Sequence, residues 1–272
     1  LKFRFLSAVS DGHLSLRMVP KRKRVLHAGG ASAKKTDTPS FGPHLVFAPS
    51  DETCVAAVVW LHGFGDEPEG WAAEMEPARE AHLNWKWVHL RAPMLRQTCF
   101  RGGREFAWGD YHDTGCTHVG SADYINTSLV SETTVREVHR ILDDLQSDGL
   151  PSHRIAIGGF SMGATAAAEI ALLYPKRLAG LVMLNGWLLP RSLSALQEDR
   201  WQGFRVLVSH GSGDEMVGFD CGQVAVKTLE AAGATVQFEV QQGETHVLSG
   251  FTKGNMLARR FFDDILGGMD VG

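Results

Sequence analysis

From residue 44 onward, short β-rich runs alternate with longer segments whose apolar residues recur every three or four positions. That alternation predicts an α/β chain: a mostly parallel central sheet with helices on both faces. Strands are expected at 44–48, 55–61, 86–91, 154–158, 179–185, 205–210 and 235–240. Val55-Ala-Ala-Val-Val-Trp60 and Val206-Leu-Val208 are continuous apolar runs, the pattern of strands covered on both sides. Helices are expected at 121–148, 162–174, 218–232 and 254–266. In the first, Ile125, Leu129, Val135, Val138, Ile141, Leu142 and Leu145 lie near helical spacing, and Gly149-Leu150-Pro151 ends the run. The second is Ala-rich and stops before Pro175. No internal repeat interrupts this order. Residues 92–120 hold glycine, arginine and aromatic residues without any period, which reads as a long loop of the functional or lid-like kind.

Composition narrows the picture. With 272 residues, of which 44% are hydrophobic, the chain has enough apolar material for one large domain, placed at 41–272. Residues 1–40 carry nine Lys/Arg against two Asp, while the remainder holds 18 basic and 29 acidic side chains. A body that acidic excludes nucleic-acid binding through the globular part. The basic segment 1–40 reads as a disordered tail, with an organelle-targeting peptide as the alternative. Cys54, Cys99, Cys116 and Cys221 are scattered, without a C-x-x-C pair, and read as reduced thiols of a cytoplasmic protein. No run of 18 apolar residues exists, so no stable membrane insertion is expected.

The chemistry enters at Gly159-Phe160-Ser161-Met162-Gly163. A short apolar strand precedes this G-x-S-x-G pattern, and a small-residue helix follows at once. That context makes Ser161 a candidate nucleophile on a sharp strand-to-helix turn, whose flanking glycines avoid collision with neighbouring backbone. The triad on such a turn runs Ser, then Asp or Glu, then His along the chain. Of twelve histidines only His210 and His246 follow Ser161. Asp214 lies on a glycine-rich loop just past strand 205–210, which leaves His246 as the base. Glu215 remains open as an alternative acid, and His210 reads as a structural histidine near the acid loop. A further loop, Leu61-His62-Gly63-Phe64-Gly65-Asp66, follows strand 55–61. Its Phe64 N–H and that of Met162 are the expected oxyanion-hole donors. Asp110, His112, Asp113, Cys116 and His118 have a loose metal-ligand look, but no paired motif, and read as a polar rim. Neither metal nor cofactor is expected.

Five segments resemble the acyl-protein thioesterase and lysophospholipase-like carboxylesterases, a family of α/β-hydrolases. Leu61-His-Gly-Phe-Gly-Asp66 is similar to its L-H-G-x-G-D, and Gly159-Phe-Ser-Met-Gly163 to its G-F-S-x-G. Asn185-Gly-Trp-Leu188 followed by Pro190 resembles its x-G/C-W-L-P segment, and His210–Val217 its H-G-x-x-D-x-x-V. His246 falls where the family has G-x-x-H. The resemblance covers about residues 44–266. It implies an α/β-hydrolase fold and cleavage of ester or thioester bonds, with small-molecule, lipid or acylated-protein substrates. It also implies Trp108, Trp187 and Leu188 as substrate-binding residues. A non-catalytic receptor or scaffold of the same fold is the alternative. Met162 stands where many members carry Gln, and Gly218 where Pro is common. The loop 92–120 diverges most; Arg96, Arg101 and Arg104 there, with Arg91 before it, suggest an anionic substrate or product.

Overall fold

The computed structural model describes residues 41–49, 53–113, 115–196 and 199–268. The basic segment 1–40 lies outside the described residues. The elements, in chain order, are β1 (Leu45–Phe47), β2 (Ala56–Leu61), α1 (Pro68–Glu74), α2 (Glu76–Ala81), β3 (Trp85–Leu90), β4 (Met94–Gln97) and β5 (Gly103–Phe106). There follow α3 (Glu132–Ser147), β6 (Ile155–Phe160), α4 (Met162–Leu173), β7 (Gly180–Leu184), α5 (Pro190–Ala195) and β8 (Arg205–Gly211). The chain continues through α6 (Phe219–Ala231), β9 (Thr235–Gln241), α7 (His246–Leu248) and α8 (Asn255–Phe262).

Seven strands form one sheet in the order β1-β3-β2-β6-β7-β8-β9, and only β1 runs antiparallel to its neighbour. Each of the seven expected strands is present. Residues in a strand face alternate sides, so the continuous apolar runs divide between two cores. Along β2, Ala57, Val59 and Leu61 enter the core beneath α3, α4 and α6, whereas Ala56, Val58 and Trp60 meet Trp71, Phe261 and Phe262 on the other side. α4 is buried at every position from Met162 to Leu172, which explains its run of small residues against the sheet.

Three expectations change. The helix foreseen over 121–148 begins only at Glu132, where the Ser131 hydroxyl accepts the Thr134 N–H as an N-cap. Ahead of it, the buried Asp123 carboxylate accepts the N–H groups of His112 and Asp113 and holds 121–130 in turns. Within 92–120, β4 and β5 form a separate hairpin rather than an unstructured loop. The last helix is longer than expected: wider π turns at Ser249–Gly254 and Asp263–Gly267 extend α8 back to His246.

The sheet order has a direct consequence for chemistry. β2, β6, β7, β8 and β9 are consecutive parallel neighbours. The segments carrying Phe64, Ser161, Asn185, Asp214 and His246 therefore leave the same edge of the sheet, where the C-terminal ends of parallel strands form a crevice.

Candidate active site

Ser161 sits between β6 and α4 with φ 57° and ψ −124°, a left-handed conformation uncommon for a residue with a side chain. Holding it costs of order 1–3 kcal/mol, which the surrounding structure must offset. The backbone is pinned by its N–H donating to Leu184 O at 2.8 Å. The two glycines are required by close approach. A Cβ on Gly163 would lie 2.3 Å from the carbonyl oxygens of Leu61 and His62, and one on Gly159 2.5 Å from the Gly163 carbonyl.

The Ser161 hydroxyl lies 2.9 Å from His246 Nε2, and His246 Nδ1 lies 2.7 Å from Asp214 Oδ2. The imidazole rests against the Phe160 ring, with centroids 4.8 Å apart. Asp214 Oδ1 accepts the N–H groups of Met216 at 2.9 Å and Val217 at 2.8 Å. Burial alone would raise the Asp214 carboxyl. The hydrogen bond and charge of His246, the Val217 N–H and the Asn185 amide together hold it below the usual carboxylate range. Facing an anionic Asp214, Nδ1 of His246 carries the proton and Nε2 is left to accept one from Ser161.

Glu215, the alternative acid, points elsewhere: its Oε2 accepts the backbone N–H of His246 at 3.2 Å. His210 is fully buried and its Nε2–H donates to Val217 O at 2.9 Å, closing the loop that clamps Asp214. Burial lowers its proton affinity and keeps it neutral. Asn185 was named in the sequence only as part of a motif, yet its amide donates to Asp214 Oδ2 at 2.5 Å and to Ser249 Oγ at 2.6 Å. Its φ of 53° brings the side chain into the site, and asparagine tolerates that conformation better than most residues. No periodicity signals such a position.

The oxyanion-side loop is braced from below. His62 Nδ1–H donates to Gly63 O at 2.7 Å and Nε2 accepts the Ala92 N–H at 3.1 Å. Burial pushes this imidazole down to about 4, in keeping with a ring that must stay neutral to accept. Among the described residues no backbone acceptor is paired with the N–H of Phe64 or Met162. The Phe64 ring packs edge-on to Tyr111, 4.9 Å between centroids, and the buried Tyr111 side chain lies beside Ser161. Tyr111 is a neighbour of the serine that sequence reasoning grouped only with the loop aromatics.

The three residues implied at the substrate lie deep. Trp108 and Trp187 are 0% exposed and Leu188 5%. Trp108 Nε1–H donates to His62 O at 2.8 Å, and Trp187 N–H to the Thr165 hydroxyl at 3.1 Å, so both brace the site's walls. Of the arginines, Arg91 pairs with Glu67 and Glu69, while Arg96 and Arg104 stand opposite each other across the β4–β5 hairpin and Arg101 lies in its turn. Asp110 accepts from the Thr98 N–H and hydroxyl, and Cys116 faces Cys221 across 3.6 Å.

A mostly parallel sheet with helices on both faces, carrying a serine on a strained strand-to-helix turn, defines the α/β-hydrolase class. Residues 43–258 match the model of the phospholipase/carboxylesterase family, and the chain belongs to that family. The carboxylesterase SOBER1 of Arabidopsis thaliana is 33% identical over 195 residues, 71% of this chain and 83% of that protein. A crystal structure of SOBER1 matches with a TM-score of 0.69 at 31% identity, covering 78% of this chain and 99% of that one. Acyl-protein thioesterase 1 of Cryptococcus neoformans var. neoformans is 28% identical over 68% of this chain and 77% of its own length. A probable inactive carboxylesterase of Oryza sativa subsp. japonica is 28% identical over 70% of this chain and 78% of its own.

Proposed function

We propose that this protein is a serine carboxylesterase or thioesterase working through an acyl-Ser161 intermediate, without cofactor. The hydrogen-bonded series Ser161–His246–Asp214, at 2.9 and 2.7 Å on a strained turn, carries the reading. His246 Nε2 takes the Ser161 proton as Oγ attacks the substrate carbonyl, and Asp214 stabilises the resulting imidazolium. The carbonyl oxygen, now anionic, is received by the N–H groups of Phe64 and Met162, each such donor being worth about 3 kcal/mol in the transition state. His246 then protonates the departing alcohol or thiol, and a water activated by the same imidazole releases the acid.

Family membership alone does not decide activity, since one relative is named inactive. The complete hydrogen-bonded series favours catalysis over a non-catalytic receptor or scaffold. The names of the relatives support carboxylic esters, phospholipids and acylated proteins as substrate classes. Trp108, Trp187 and Leu188, buried around the site, are read as shaping its walls from behind rather than as an exposed binding surface. Residues 41–272 are read as one hydrolase domain, consistent with a single sheet that spans β1 to β9. The four free cysteines suit a reducing compartment such as the cytoplasm. Among the described residues no helix is long and apolar enough to cross a membrane.

A fluorophosphonate probe should label the wild type and leave Ser161→Ala unlabelled. Absence of labelling on the folded wild-type protein would sink the enzyme reading. A panel of p-nitrophenyl esters, acyl-thioesters and lysophospholipids then ranks the substrate classes.

A further inference from the structure

The two protons of the Asn185 side-chain amide go to two different parts of the site. One reaches Asp214 Oδ2 at 2.5 Å and the other Ser249 Oγ at 2.6 Å. Ser249 in turn donates its hydroxyl proton to the His246 carbonyl oxygen at 3.1 Å. With the Asp214–His246 bond at 2.7 Å this closes a ring: acid, base, backbone of the base, Ser249, Asn185, acid. The amide can face only one way, because a carboxylate accepts and never donates, so Nδ2 rather than Oδ1 must meet Asp214. Oδ1 is left buried with no partner among the described residues. An unsatisfied buried acceptor is costly, so its retention marks the N–H pair as the part in use.

The support around it is equally specific. The backbone N–H of Asn185 donates to Ser209 O at 2.8 Å, directly past the end of β7. Gln241 Nε2 donates to Ser249 O and to the Ser209 hydroxyl, both at 2.7 Å, and so locks the far side of the ring. A residue needed only for its left-handed backbone at φ 53° would be served by glycine, with no amide.

We propose that Asn185 is a positioning residue that holds Asp214 Oδ2 and the His246 backbone in one register, an inference resting on the serine-hydrolase reading above. Asp214 meets its other titratable neighbours on known sides. His210, on β8, has Nε2 3.5 Å from Asp214 Oδ2, with Asp220 of α6 acting on it from behind. Glu215 of the acid loop meets the His246 N–H at 3.2 Å, Ser161 at the start of α4 lies 2.9 Å from its Nε2, and Tyr111 contacts Ser161.

Removing a donor from Asp214 Oδ2 concentrates negative charge where the imidazolium forms. Asn185→Gly keeps the backbone unstrained and deletes the amide. It should lower kcat by about tenfold or more, leave KM within about twofold, and move the acidic limb of the kcat/KM profile to higher pH. Asn185→Asp, the same size, should move that limb further, because a second carboxylate adds negative charge beside the imidazolium. Ser249→Ala leaves the bond from Asn185 to Asp214 in place and cuts the link from Asn185 through Ser249 to the His246 backbone, so kcat should fall while the limb stays in place. An unmoved limb in both Asn185 variants, a loss carried by KM, or an unchanged Ser249→Ala each overturns the proposal. Should neither Asn185 variant fold, the Ser249→Ala result decides. Fluorophosphonate labelling separates the two readings: an unlabelled wild type defeats the serine mechanism, whereas a labelled wild type with an unmoved limb defeats only the role of Asn185.

Discussion

Asp214 and Glu215 are adjacent acids on one loop, and backbone geometry separates their work. The Asp214 side chain is fully buried with two backbone N–H groups on one oxygen and His246 on the other, while Glu215 Oε2 reaches only the His246 main chain. Asp214→Asn should therefore lower kcat by about 10⁴-fold, since the imidazole would be held in the wrong tautomer. Glu215→Gln retains an acceptor for the same N–H and should stay within about threefold of wild type. Steady-state kinetics on one p-nitrophenyl ester compares both, and equal losses would mean that the acid is misassigned. Chain order and strand ends were enough to single out Ser161, Asp214 and His246 as candidates, and the fold brings the three within hydrogen-bonding distance of one another. Asn185 and Tyr111 were not legible that way, because their roles depend on a left-handed backbone and a loop crossing that no spacing rule encodes.

Among the elements, β3 carries a ladder of rings, with His82 on Trp85 at 3.8 Å, Trp85 on Trp87 at 6.0 Å and Trp87 on His89 at 6.4 Å. Among the described residues neither His89 nitrogen has a hydrogen-bond partner, and burial pushes its imidazole down to about 3. The folded state thus holds this ring neutral while the unfolded chain protonates it at its ordinary value of 6.5. Its contribution is fully present above pH 6.5 and is lost as pH falls toward about 3, amounting to roughly 2 kcal/mol between pH 6.5 and 5. His89→Phe should flatten the pH dependence of thermal unfolding over that interval, and melting curves from pH 7 to 4 would check it. His62 acts in the same direction down to about 4, so some slope should remain. At this scale the strands were legible because strands buried on both faces read as plain apolar runs. The short helices α1 and α2 and the β4–β5 hairpin escaped, since six or seven residues, or four with mixed exposure, are too few to show a period.

Across the whole molecule, the segment following the hairpin ties three catalytic loops together. Trp108 holds His62 O, Tyr111 meets Ser161, and Cys116 pairs with Val217 beside the acid loop while accepting the Gly218 N–H at 2.9 Å. The irregular stretch is thus the brace that holds the loops of Phe64, Ser161 and Asp214 at fixed separation. Trp108→Phe deletes the bond to His62 O and leaves a small void, which should cost about 2 kcal/mol in denaturant unfolding. The kcat should fall more than KM rises, because the oxyanion loop loosens. A stability loss with unchanged kcat would show that the brace is irrelevant to chemistry.

Hydrophobic periodicity and motif order are local properties, and from them alone the chain determined its parallel sheet, its strand-to-helix turn at Ser161 and the candidates for its acid and base. Tertiary structure decided what no local pattern carries. It put the ends of β2, β6, β7, β8 and β9 side by side, gave Glu215 to the backbone and turned Trp108 and Trp187 into buried braces. It also assigned both protons of Asn185. Those outcomes depend on which groups meet across tens of residues of chain, where hydrogen-bond geometry and burial select among partners that the sequence lists as equals.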